Sequence, residues 1–213
     1  MSAITHDSFA LSPFTRAATV ITLRTISVCP GLTFQPLGSP PIGIALFSVV
    51  PHADGYAFHA QAHALRDDAL PDTLVTWLEE RLPATGAVLT RERDHLRHIL
   101  RGGSDTLRHP RVAALVRDGA ERVRVVPDAA MRHVAALPAL GMPCLCRAGE
   151  DCLLQLPAFF LPDPDETEAG LIRVAQATWK RWAEQHAAWT GHDHPARVAL
   201  QALADRAAGA GDA

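Results

Sequence analysis

The sequence predicts an α/β fold in the mixed, α+β sense: a mixed sheet of about four to six strands with flanking helices and a helical C-terminal part. Three observations carry that expectation. Residues 19–65 are built from short β-branched and alternating runs; from residue 70 leucines recur every four positions; and residues 166–189 form one long stretch with helical spacing.

Taken in order, "TVITLRTISV" (19–28), "PIGIALFSVV" (41–50) and "GYAFHAQAHAL" (55–65) read as three consecutive strands. Proline-bounded turns at 30–41 and 51–55 would make them an antiparallel meander. In "DDALPDTLVTWLEERLP" the spacing of Leu70, Leu74, Leu78 and Leu82, widened by Val75 and Trp77, predicts a helix. Asp67 or Asp68 is its start signal and Pro83 its stop. "GAVLT" (86–90) follows as a short buried strand, then a helix near 92–101 with Leu96, Ile99 and Leu100 inward and its basic side outward.

"HPRVAALVRDG" gives a further helix, with Pro110 near its start and Gly119 at its end. "ERVRVV" is a candidate strand, and Asp128 would cap a helix running to Leu137. The segment 166–189 is a long helix with Leu171, Thr178, Trp182 and Trp189 along one side and Glu166 and Glu168 at the positive end of its dipole. A last helix starts at Pro195 with Val198, Leu200 and Leu203 as apolar contacts. The expected organisation is a flexible arm over 1–18, a single α/β domain over 19–206 and a disordered tail over 207–213.

Composition narrows the function classes. With 48% hydrophobic and 20% charged residues, and no apolar run long enough for a bilayer, the chain is expected to be soluble, with no membrane partner. Its N-terminus lacks a signal-like apolar segment, so a cytoplasmic location is expected. A net charge of −3 gives no global attraction to nucleic acid, but charge is unevenly spread. Between Arg91 and Arg132 lie ten arginines against six acids. Arg91, Arg93, Arg97, Arg101, Arg108 and Arg111 are therefore the candidate nucleic-acid-binding residues, with His95, His98 and His109 beside them. The competing explanation is a coding bias, because Lys180 is the only lysine in the chain.

Chemistry-bearing motifs are sparse. "MPCLCRAGEDC" (142–152) holds three of the four cysteines. A zinc site completed by His192 or His194, a disulfide between Cys146 and Cys152, and an apolar β-hairpin all remain open. The single residue between Cys144 and Cys146 and the turn-forming "RAGED" favour the hairpin with reduced thiols. The acids at 67–68, 79–80 and 163–168 read as helix caps and solvated faces before they read as metal ligands. Trp179 and Trp182 share one helix side and read as core or partner contact before base stacking. No P-loop, G-x-G-x-x-G, G-x-S-x-G or H-E-x-x-H pattern occurs. No residue is assigned as catalytic or as a metal ligand.

The order of elements resembles the ribonuclease H-like 3′–5′ exonuclease family. "VITLRTISVCPGLT" falls where that family's first strand and following loop lie, "PIGIALFSVV" resembles its second strand, and "LVTWLEERLPATGAVLT" its first helix and fourth strand. "PARVALQALADRAA" is similar to its closing helix. The resemblance implies a ribonuclease H-like sheet and, in an active member, two magnesium or manganese ions held by an acid pair on the first strand. Here Thr25 and Ser27 stand at those positions, and no histidine precedes an aspartate in the last helix at the family's spacing. The expectation is a non-catalytic descendant without cofactor, acting as a binding or scaffold module for nucleic acid or for a protein of DNA or RNA metabolism. A divergent metal-dependent exonuclease drawing on Asp94, Asp105 or Asp163, and a plain protein–protein module, are the alternatives.

Overall fold

The computed structural model describes residues 14, 16–25, 41–66, 69–70, 72–91, 96–97, 107–126, 163–189 and 195–209. They form an α/β arrangement with strands β1 (Ala18–Thr25), β2 (Pro41–His52), β3 (Gly55–Ala64), β4 (Ala87–Thr90) and β5 (Val123–Val125). The helices are α1 (Asp72–Arg81), α2 (Pro110–Arg122), α3 (Pro164–Trp189) and α4 (Pro195–Gly209). The five-stranded sheet runs in the order β3-β2-β1-β4-β5. β1, β2 and β3 pair antiparallel, as the meander expectation has it, while β4 adds parallel to β1 and β5 parallel to β4. The mixed sheet follows from connection length: a two-residue turn returns β2 to β3, whereas helices carry the chain into β4 and β5.

Both faces of the sheet are covered, so its central strands are apolar on both sides. Val20, Phe47, Val49, Phe58 and Leu89 face α3 and α4, packing with Trp179, Trp182, Ala183, Ala196 and Ala199. The alternate residues Ile21, Ile44, Leu46, Val88 and Val123 face α1 and α2, packing with Leu74, Val75, Leu78, Val112 and Leu115. This period-two division is why β1 and β2 read as continuous apolar runs. Gly43 lets α3 approach closely: a Cβ there would lie 2.9 Å from Leu171 Cδ1 and 3.1 Å from Thr167 Cγ2.

Several boundaries differ from the sequence reading. The first helix begins at Asp72, after Asp67 and Asp68, and Leu70 is 69% exposed outside the leucine stripe. Pro71 explains this, because the residue before a proline is pushed out of the helical region. Leu82, just past the helix, is fully buried and keeps its place in the core. α2 does not end at Gly119; it continues to Arg122, which leaves only Val123–Val125 of "ERVRVV" as strand. The last turn is held because Arg122 donates from Nε to the Gly86 carbonyl (3.1 Å) and from Nη2 to that of Pro83 (2.9 Å). In α4 Val198 is 55% exposed, and the smaller Ala196 and Ala199 make the buried contact.

Leu96 is buried as expected, and Ile99, Leu100, the helix at 128–137 and the cysteine hairpin at 144–156 lie outside the described residues. Phe14, within the stretch expected as an arm, is buried and sits 4.6 Å from the Trp182 ring. α4 extends to Gly209, into the stretch expected as a tail.

Tyr56, the chain's only tyrosine, links three segments: its hydroxyl lies 3.2 Å from the Pro195 carbonyl and 3.5 Å from that of Phe14, donating to one at a time. Burial pushes its phenol above the ordinary 10.0. A raised folded pKa means its stabilising contribution is complete below about pH 10 and is lost as pH rises from there through the folded pKa. Tyr56→Phe should cost about 1 kcal/mol near neutrality, with the gap to wild type closing in strong alkali. Tyrosinate absorbance reads this residue alone, and a midpoint at or below the free-tyrosine value would show that the hydroxyl is solvated.

Candidate functional site

The carboxyl ends of the parallel strands are where the strand order changes direction, since β1 leads on to β2 on one side and β4 to β5 on the other. In open sheets of this kind that gap is the usual binding crevice. β4 pairs with the first part of β1, Ala18–Val20 against Ala87–Leu89, so β1 runs on past the end of β4 to Thr25, and α3 closes over that overhang through Thr22.

On β1 the residues that hydrogen-bond to α3 are Thr22 and Arg24. Thr22 Oγ1 donates to the Leu171 carbonyl at 3.2 Å, and Arg24 Nη1 donates to Thr167 Oγ1 at 3.4 Å. Thr25 follows a register irregularity on the strand, and Ser27 is outside the described residues. Partial burial lowers the Arg24 pKa while the Glu166 carboxylate opposes the shift. The guanidinium stays protonated regardless, since arginine does not titrate within the range proteins experience.

The acids at the head of α3 are engaged in fixing the helix. Asp163 Oδ1 accepts from the amides of Asp165 (2.8 Å) and Glu166 (3.3 Å), the geometry of an N-cap ahead of a proline in the first helical position. Glu168 Oε1 accepts from the Ala64 amide at 3.0 Å, satisfying a donor on the last residue of strand β3. Asp165 pairs with Arg66 at 2.6 Å in an exposed ion pair. Among the described residues no three His, Cys, Asp or Glu side chains form a group able to hold a metal ion.

The six arginines singled out by sequence are used unequally. Arg93 and Arg101 lie outside the described residues. Arg91 leaves the end of β4 half-buried, Arg97 is half-buried beside Leu96, and Arg108 is exposed just before α2. All three belong to the connection from β4 to α2; Arg91 follows the carboxyl end of β4, and Arg108 precedes the residues that contact Thr76, Glu79 and Leu82 of the α1 region. Arg111 serves the fold, because its Nη1 donates to the Leu82 carbonyl at 3.3 Å and closes the end of α1. His109 is buried, with its Nε2 3.1 Å from Thr76 Oγ1, and does not belong to a surface stripe. Trp179 and Trp182 are core, at 0% and 6% exposure, so neither is available for stacking.

The contact of Arg24 with α3 is not legible in the sequence, because an arginine in a strand carries no signal of what faces it. Glu79 reads there as a cap or solvated acid, and its partner is invisible. Its two carboxylate oxygens accept from the amides of Arg111 (2.9 Å) and Val112 (2.8 Å), so α1 caps α2 where His109 is a poor N-cap. Glu79→Ala should cost about 1 to 2 kcal/mol, whereas Glu80→Ala, losing only an exposed pair to Arg81, should stay within about 0.5 kcal/mol. Urea midpoints of the two variants make the comparison, and equal losses would remove the cross-helix cap.

No helix among the described residues is long and apolar enough to cross a membrane. No family model matches the sequence, and a search of curated proteins finds no relative.

Proposed function

We propose that this chain is a non-catalytic module on a ribonuclease H-like sheet that binds nucleic acid, or serves as a scaffold beside a protein that does, at the carboxyl ends of β1 and β4. The observation that carries the reading is the pair Thr22 and Arg24 on the α3-facing side of the first strand. Two-metal hydrolysis needs carboxylates to gather cations; the resemblance assigns those positions to Thr25 and Ser27. Beside them Arg24 adds a fixed positive charge, which repels a divalent ion and attracts a phosphate, while the buried Thr22 hydroxyl is held by the Leu171 carbonyl. Asp163, Glu168 and Asp165 are committed to a helix cap, a strand amide and an arginine, and Glu166 is the carboxylate whose charge acts on Arg24. The antiparallel meander followed by parallel strands in the order β3-β2-β1-β4-β5 supports the ribonuclease H-like reading. Arg24 near the end of β1 and Arg91 just past the end of β4 supply positive charge there, with Arg97 and Arg108 in the connection that follows β4.

Two measurements test it together. Labelled single-stranded DNA and RNA incubated with the protein in magnesium or manganese should stay intact; degradation that disappears in Asp163→Asn would establish the exonuclease alternative. Fluorescence anisotropy with the same oligonucleotides should show binding that weakens with salt, and Arg108→Gln should lower the salt slope by about one. Affinity no tighter than that of a neutral control protein would remove the nucleic-acid half of the proposal.

A further inference from the structure

A concave surface lies farther along α3, beyond the head that closes over β1. It is an open groove of about 490 Å³ bounded by α3, α4 and the edge strand β3. Phe47 and Phe58 form its floor, and Leu200 and Leu203 one wall. Arg173 and Lys180 stand on the α3 rim, seven residues apart on one helix face, which at the helical rise separates them by about 10 Å. Arg206, on α4, donates to the Phe58 carbonyl at 2.6 Å and adds a third cation. The described lining contains no carboxylate, and neither Arg173 nor Lys180 forms an ion pair among the described residues. Arg66, Arg81 and Arg181, by contrast, each face a carboxylate.

From this geometry we infer that the groove binds a short acidic amphipathic helix of a partner protein. Both walls present side chains at the helical spacing i, i+3, i+4, i+7: residues 173, 176, 177 and 180 on α3, and 200, 203, 204 and 207 on α4. Two parallel stripes of that length accept about two turns of a third helix, whose apolar residues enter over Ala177 and Ala204 where the walls are small. Its acidic residues meet the cations at each end. A single-headed anionic amphiphile needs charge at one end only, which does not match Arg173 and Lys180 spaced along the rim. A nucleic-acid strand needs open aromatic faces, and Phe47 and Phe58 are 1% and 7% exposed. The inference does not depend on the reading of the β1 and β4 ends, because its residues are separate and its readout is peptide binding.

The test uses the full chain and two fluorescein-labelled peptides of about 15 residues, both with leucines at the i, i+3, i+4, i+7 positions. One carries flanking glutamates and the other lysines in their place. The acidic peptide should bind at least about tenfold tighter than the basic one, and less tightly in high salt. Arg173→Glu with Lys180→Glu should reverse the preference, a gain of binding that a misfolded variant cannot produce. Ala204→Phe, an exposed position that fills the groove, should weaken both peptides about tenfold. Equal affinity for the two peptides, no reversal in the charge-swapped protein, or insensitivity to Ala204→Phe would each overturn the inference. Displacement of bound acidic peptide by oleate or by single-stranded DNA at matching concentrations would overturn it in favour of that ligand.

Discussion

Trp179→Ala is expected to cost about 4 kcal/mol of stability, the largest single loss from a side-chain truncation in this protein. The indole is fully buried between sheet and helix, with the rings of Phe14, Phe47 and Phe58 around it at centroid distances of 6.3, 6.1 and 6.0 Å, all edge to face. Truncation would leave a cavity walled by three aromatic rings that cannot collapse without moving α3 from the sheet. At about 2 to 4 °C per kcal/mol for a chain of this size, the melting temperature should drop by roughly 10 °C. Trp179→Phe should cost much less than removal of the whole ring. The indole N–H is buried and meets no acceptor among the described residues, and an unmade hydrogen bond of that kind costs about 1 to 3 kcal/mol. Phenylalanine gives up some ring contact but removes that donor. Urea titrations followed by circular dichroism separate the cases; equal losses for the two variants would mean that the indole N–H finds a partner, and a loss below about 1 kcal/mol for Trp179→Ala would mean that α3 is not held by this cluster.

The same residue shows what a sequence makes legible. Helical spacing places Leu171, Thr178 and Trp182 on the buried side of α3, and alternation places β1, β2 and β3 within a few residues, because these signals are local and repeat over two or more turns or pleats. Element ends are less legible where one interaction from elsewhere decides them. Pro71 delays α1, and Arg122 prolongs α2 by binding carbonyls at Pro83 and Gly86. Site residues are the hardest, for the same reason. Arg111 looks in the sequence like part of a basic surface, and its further contact closing α1 is invisible there, while Arg24 gives no hint of Thr167 across 143 residues of sequence. Charge counts report composition, and only the fold reports which charges have partners.

Gly86→Ala should rank next, at about 3 kcal/mol, although it adds only one methyl group. Gly86 has φ of +97°, a backbone conformation that costs a side-chain-bearing residue about 1 to 3 kcal/mol. A Cβ on it would also run into the carbonyl oxygen of Ala17. That carbonyl is in use: it accepts from the Ala87 amide at 3.0 Å, directly ahead of the Ala18–Ala87 pairing that begins the parallel β1–β4 ladder. The Gly86 carbonyl in turn receives Arg122 from the last turn of α2. One glycine thus joins the start of β1, the entry to β4 and the end of α2, and displacing it should loosen the register that aligns the starts of β1 and β4. Thr85→Ala, one residue earlier and exposed, should stay within about 0.5 kcal/mol. Amide hydrogen exchange should therefore accelerate at Val88 and Leu89 in Gly86→Ala and not in Thr85→Ala. If both variants unfold at the same urea concentration with the same exchange pattern, the turn accepts a side chain by reorienting, and the β1–β4 gap does not rely on glycine.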